Sequence, residues 1–322
     1  MFRMSLSAAL MLRRMLPNAC LPAFLALAAV ACLTIAALPA ANAADADGEE
    51  IARWAPGEKA AYDEYRAAMR KGQYRQALPL ARKWLEICEK EHGAKALRTG
   101  QVLSNLGILY TYLDEYDKAE LNYERAIEIF RDLKAEGEIA KATANMGGLY
   151  LDMKQYDKAE DCFLDSLDLN EKLYGLEDPK LAGVFNNLGM LYYTKKNYDR
   201  SDRMLRRAVN LAEKSGKDEL KLSSYLNNQG QLYTDMGQHA TAEACLLRSI
   251  QLKEKTQPPQ HPSYARPLRN LVFLYKKMGD KEKAAATQAR LDKISGGGGA
   301  GAAGEKSDDK PAADKTPRDD AS

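Results

Sequence analysis

One six-residue phrase, Asn187-Leu188-Gly189-Met190-Leu191-Tyr192, recurs along this chain at an almost constant interval. The other clear copies begin at Asn105, Asn145, Asn228 and Asn270, and a degenerate first copy centres on Tyr65. The central residues fall at 65, 107, 147, 189, 230 and 272, so the spacings are 42, 40, 42, 41 and 42. A fixed period of this length describes stacked units, each burying its apolar face against its neighbours, and excludes a single globular core.

Each copy carries a second half at fixed offsets. Nine residues after the centre stands an aromatic (Tyr74, Tyr116, Tyr156, Tyr198) or His239. Twelve after stands a small residue: Ala77, Ala119, Ala159, Ser201, Ala242 or Ala284. Sixteen after comes a bulky apolar one, Tyr123, Phe163, Leu205 or Leu246, and nineteen after Ala126, Ser166, Ala208 or Ser249. Apolar residues recur at three and four within each half, as a helix face requires. Gly72, Gly237 and Gly279 mark the turn, where a left-handed residue ends a helix at low cost. Each unit is therefore expected to be a helical hairpin whose small residues allow close backbone approach.

This pattern resembles the tetratricopeptide repeat, in the 42-residue form similar to kinesin light chains and related bacterial proteins. The resemblance covers residues 58–294. It implies an all-α, right-handed superhelical solenoid of about six antiparallel hairpins. The end units depart from the pattern: the first lacks the central glycine, and the last has Val272 there and Gln288 in place of a bulky apolar residue. Capping units, which face water on one side, are expected to differ in this way. Thin apolar content over 281–293 leaves the last unit poorly sealed, so end-to-end self-association stands as the alternative to partner binding.

The ends of the chain read differently. Residues 1–43 carry Arg3, Arg13 and Arg14 as their only charges, an apolar run from Leu21 to Leu38, and Ala41-Asn42-Ala43. That is the grammar of an export signal cleaved before Ala44. The run is near the length of a spanning helix, so an uncleaved anchor stays open, as does a weaker lipoprotein reading at Cys32. All three place the array outside the cytoplasm, in the periplasm or secreted. Residues 44–57 form an acidic lead-in whose Trp54 is expected to pack on the first hairpin. Residues 295–322, Gly/Ala-rich and then charged, bury too little apolar surface to offset ordering and read as a disordered tail.

Asp178-Pro179 and His261-Pro262 supply helix-start chemistry at two joints, and Pro258-Pro259 ends a helix. Formal charge is +2 overall, close to neutral without the leader arginines, which argues against nucleic acid as a partner. Arg266, Arg269, Lys276 and Lys277 on the last unit read as a solvated cap face. Cys88, Cys162 and Cys245 sit in second helices and read as packed residues. His92, His239 and His261 show no metal-ligand spacing with cysteine, and carboxylates look scattered on solvent faces. No catalytic triad, metalloprotease or dinucleotide motif is present. The expectation is a non-enzymatic protein without cofactor or metal.

The informative polar feature is a row of asparagines, Asn105, Asn145, Asn187, Asn228 and Asn270, each two residues before the centre. Asn186 and Asn227 add a second amide. Asparagine is a mediocre helix former, so its recurrence inside helices needs a reason. The resemblance implies that this position faces a concave groove, where an amide offers donor and acceptor to a guest backbone. Tyr112 and Tyr193 would be groove neighbours, with Ile108, Thr111, Lys141, Asp152, Met190, Thr194, Gln231, Thr234 and Asp235. Descent from one duplicated unit, or bonding within the stack, is the competing explanation for the row.

Overall fold

The computed structural model describes residues 54–259 and 261–297. The leader, residues 44–53 of the lead-in and the stretch from 298 onward lie outside the described residues. Among the described residues twelve α-helices pair into six hairpins: α1 (Glu58–Arg70) with α2 (Tyr74–Glu91), α3 (Leu97–Tyr112) with α4 (Tyr116–Asp132), and α5 (Glu136–Asp152) with α6 (Tyr156–Tyr174). They continue as α7 (Ala182–Thr194) with α8 (Tyr198–Ser215), α9 (Glu219–Asp235) with α10 (His239–Thr256), and α11 (Ala265–Met278) with α12 (Lys281–Gly297). The last helix runs three residues into the stretch expected to be tail. No helix among the described residues is long and apolar enough to cross a membrane.

The stack is closed within each hairpin by a size match. A Cβ built on Gly107, Gly147, Gly189 or Gly230 would come within 2.6–2.7 Å of Tyr123, Phe163, Leu205 or Leu246 respectively. The central glycine is thus the socket for the bulky residue sixteen positions later. The first unit reverses the sizes. Tyr65 takes the glycine's place and Ala81 stands opposite in sequence, both buried in one apolar cluster with Trp84. The degenerate first copy is therefore a compensated one.

Neighbouring hairpins are joined by a tyrosine that repeats with the phrase. The hydroxyls of Tyr150, Tyr192, Tyr233 and Tyr275 donate to Glu120, Glu160, Asp202 and Glu243 of the preceding unit at 2.5–2.9 Å. Lys158, Arg200, Arg206 and Lys283 lie over the same four rings at 4.8–5.9 Å from the centroids, within cation–π range. The first joint lacks the carboxylate, since Leu78 stands there, and Arg82 donates to the Tyr110 hydroxyl instead, at 2.9 Å.

Turns between the paired helices use one left-handed residue. Gly72, Gly237 and Gly279 fill it with φ of 68°, 75° and 76°, while Asp114, Lys154 and Lys196 adopt φ of 56–60°. The chain then closes with a long backbone bond, as from Asn197 N–H to the Tyr192 carbonyl at 2.8 Å. At the joint before α7, the Asp178 carboxylate accepts from Lys180 N–H, with Pro179 starting a short 3-10 turn. His261 and Pro262 do the same before α11.

The backbones of successive first helices approach closely from α3 through α11, while second helices stand further apart and are bridged by side-chain ion pairs such as Arg125 with Glu89 at 2.6 Å and Arg290 with Glu254 at 2.7 Å. The first helices therefore form the inner wall of the solenoid. The last helix is anchored by Ala284, Leu291 and Ile294, each no more than 8% exposed, while Phe273 of the same unit stays 51% exposed. Trp54 packs on the first hairpin as expected, its ring 5.1 Å from that of Tyr62.

Two substitutions of opposite sign test this account. Gly147→Val forces a side chain into the Phe163 socket and is expected to cost about 1–3 kcal/mol in urea unfolding. Lys196→Gly relieves a left-handed position and is expected to raise stability by about 0.5–1 kcal/mol.

Candidate partner-binding wall

The asparagines stand on the first helices, as their spacing implies, but they are not equivalent. Asn228 Nδ2 donates to Asn186 Oδ1 at 2.9 Å, and Asn270 Nδ2 donates to Asn227 Oδ1 at 2.9 Å. Asn228 Oδ1 accepts from Asn227 at 3.5 Å and from Arg266 at 3.4 Å. The register repeats: the amide two before the centre meets the residue three before the centre of the preceding unit. Where that residue is also asparagine, the two amides pair. By the same offset Asn187 falls opposite Ala144, which has no side-chain polar atom, and Asn145 falls opposite Ser104.

The expectation of a uniform row of open amides is thus revised. Asn186, Asn227, Asn228 and Asn270 are spent on one another, forming a polar seam through units four to six. Asn105 Nδ2 donates to its own helix at Gln101 O, 2.9 Å. Asn187 is buried and its Oδ1 has no partner, and neither has Asn186 Nδ2. Asn145 alone in the row is half-buried with a side-chain amide that makes no hydrogen bond among the described residues. The Asn-Asn pairs one period apart were the sequence signal for the seam.

Other wall positions are also engaged. Tyr112 stacks on Tyr74 of the preceding unit, 4.3 Å between centroids and 7° between planes. The Tyr193 hydroxyl donates to Asp235 and accepts from Gln231 at 3.2 Å, while Lys277 donates to Asp235 at 2.8 Å. Burial and the Asp235 carboxylate push the Tyr193 hydroxyl well above its usual range. Thr111, Thr194 and Thr234 turn their hydroxyls onto carbonyls of their own helices at 2.8–2.9 Å. Met190, expected to line the groove, is fully buried beneath the next unit.

The profile described as tetratricopeptide repeat matches residues 66–132, 138–214 and 221–291, well over half the chain. The chain belongs to the tetratricopeptide repeat family. Its repeats are of the kinesin-light-chain-like kind. The crystal structure of BtubC (BKLC) from P. vanneervenii is similar, at 25% identity over 62% of this chain and 82% of that one, with a TM-score of 0.51. A putative kinesin light chain from Podospora anserina, with nearly identical TPR-like repeats, matches at 16% identity over 61% of this chain and 95% of that one, TM-score 0.50. A Rap protein complexed with Competence and Sporulation Factor matches at 20% identity over 76% of this chain and 66% of that one, TM-score 0.56. No curated protein sequence matches the chain.

At its N-terminal end the tetratricopeptide array holds a group that sequence spacing did not reveal. Glu58, thirty residues before Cys88, is fully buried, contrary to the expectation of solvent-facing carboxylates. It accepts from Ala55 N–H at 2.9 Å, bonds His92 Nε2 at 2.9 Å, and takes the Cys88 thiol at 3.5 Å. Arg98 Nε of the second unit lies 3.1 Å away, its guanidinium 4.4 Å from the Trp54 ring centroid. Cys88 and His92 are one helical turn apart, which corrects the expectation that no histidine stands at metal-ligand spacing from a cysteine. Their donor atoms and that of Glu58 lie within 4.8 Å of one another, a set that would suit a soft divalent ion. Arg98 already supplies the counter-charge, however, and burial together with Glu58 pushes the Cys88 thiol up to about 12. The group is best described as an internal ionic latch. Cys162 and Cys245, both held near 11 chiefly by burial, are likewise poor nucleophiles.

Burial alone would raise the Glu58 carboxyl, but hydrogen bonds from His92 and Ala55 and the charges of Arg98 and His92 outweigh it and hold it below 4.5. A carboxyl lowered on folding stabilises the protein above its unfolded value, and that contribution is lost as pH falls through the folded one. Glu58→Ala removes the buried carboxylate that Arg98, His92 and Ala55 N–H share and is expected to cost about 3–5 kcal/mol at pH 7, read as faster hydrogen exchange in α1 and α2. The gap between wild type and variant is expected to narrow steadily as the pH is taken below 4.5.

Proposed function

We propose that this chain is an exported, non-enzymatic adaptor that holds a segment of another protein along the wall of first helices. The observation that carries the reading is Asn145, a half-buried mid-helix amide on that wall with both hydrogen-bonding groups unspent among the described residues. An amide in that state can take a guest's peptide unit without regard to its side chain. Tyr112, one unit earlier, adds a ring already oriented by Tyr74. The same fold in the Rap structure is complexed with a factor, which supports an array of this kind holding a guest. Repeats, wall amides and the lack of catalytic motifs together favour binding over chemistry. The leader supports export to the periplasm or beyond, with a membrane attachment only where that leader is retained.

Asn145→Ala is expected to reduce recovery of captured partner proteins at least several-fold with an unchanged far-UV spectrum and melting point. Asn270→Ala breaks the seam instead and is expected to lower stability by about 1 kcal/mol with little effect on capture. Equal recovery by wild type and Asn145→Ala would overturn the role given to this residue. Sequencing the mature N-terminus tests export: a chain beginning at Ala44 supports it.

A further inference from the structure

The first unit departs from the others where its two helices meet at the head of the array. Seven residues before the repeat centre the later units carry a small residue: Gly100, Ala140, Ala182, Ser223 or Ala265. The first unit carries Glu58 there, fully buried. Against this place the second unit sets Phe130, whose ring lies 2.5 Å from where a Cβ on Gly100 would stand. The first unit sets Cys88 at the position of Phe130. A glycine and a phenylalanine thus close the same gap without burying a charge. A buried ion pair seldom adds stability over such an apolar fit, so packing alone does not account for a carboxylate, a thiol and an imidazole gathered here.

Cys88 and His92, one turn apart at the C-terminal end of α2, both meet the Glu58 carboxylate. His92 Nε2 lies 2.9 Å from Oε2, Cys88 Sγ lies 3.5 Å from Oε1, and the three donor atoms fall within 4.8 Å of one another. Tetrahedral bonds of about 2.0–2.3 Å put donor atoms about 3.4 Å apart, so shifts of about 1 Å would close these three on one ion. Glu58 and Cys88 are shut off from water, while the His92 side chain is 26% exposed and opens a way in. Sulfur, nitrogen and oxygen together suit zinc, whereas magnesium and calcium take oxygen ligands.

We propose that Glu58, Cys88 and His92 bind a zinc ion that displaces Arg98 from the carboxylate. Arg98, which neutralises Glu58 when no ion is bound, has a place to withdraw to, since its guanidinium already lies 4.4 Å from the Trp54 ring centroid. Charge is conserved in the exchange. Zinc brings a double positive charge, the guanidinium takes one away, and Cys88 gives its proton to solvent and bonds the ion as thiolate. The fourth position is left to water. The ionic latch and the zinc site are two states of one cluster, and neither depends on what the wall of first helices binds.

The test titrates the untagged full chain, reduced and treated with chelator, with cobalt(II) as a coloured stand-in for zinc. A thiolate-to-cobalt charge-transfer band is expected, saturating near equivalence, with about one proton released per ion and the band erased by zinc. Affinity is expected to fall at least about tenfold in His92→Ala and in Cys88→Ser. It is expected to rise in Arg98→Gln, where the competing cation is gone; a merely structural latch would show no such gain. A chain with Cys20, Cys32, Cys162 and Cys245 all replaced by serine is expected to keep the band, which leaves Cys88 as its source. Melting curves check folding, and His92→Ala, at the exposed edge of the cluster, decides the matter if Cys88→Ser does not fold. No band at saturating cobalt, equal affinity in His92→Ala, a band lost in the four-serine chain, or binding no tighter in Arg98→Gln would each overturn the proposal.

Discussion

Everything in this molecule depends on how closely two helices of one hairpin can approach. The approach is set by the glycine socket: Phe163 over Gly147, Leu205 over Gly189, Leu246 over Gly230. With the hairpin closed, its tyrosine is presented to the preceding unit, where a carboxylate receives it, while a cation, from the tyrosine's own unit in three of four cases, covers the ring. Without the socket, neither that joint nor the contact between successive first helices would hold its spacing. A repeat array has no central core to absorb such an error, because each unit is buried only by its neighbours.

Much of this was legible from sequence. The period, the hairpin halves and the turn glycines were all readable, because helix periodicity and small-residue spacing are local signals. The compensated first unit was readable in principle, since Tyr65 and Ala81 are simply the usual sizes exchanged. What escaped were interactions set between units. Nothing local says that the tyrosine closing one phrase meets the acid of the previous Tyr-Asp-Lys-Ala-Glu, although both recur together. Glu58 escaped because its partners come from the lead-in, from the second helix of its own unit and from the start of the next, and a carboxylate early in a helix ordinarily faces water.

The asparagine row shows the same divide in sharper form. Its placement on the first helices was correct, but its employment depends on a neighbour one period and one residue away. An Asn-Asn pair supplies that neighbour for the following unit, whereas Ala144 supplies none. Two identical side chains at identical repeat positions, Asn187 and Asn228, therefore end in different states. Side-chain identity gave the chemistry available, and only the stacking register decided whether it was spent internally.

The uneven seam also gives the array an uneven stiffness. Between units four and six, each step along the inner wall is crossed by an amide pair as well as by the tyrosine joint on the outside, so bending must break two sets of polar contacts at once. Between units three and four, where Asn187 meets Ala144, no amide pair crosses, and the outer joint is reinforced instead by Lys195, which donates to Glu160 at 2.7 Å and to Asp157 at 3.2 Å. Under thermal motion or a pulling load the solenoid should flex before that seam gives, with units four to six moving as a rod.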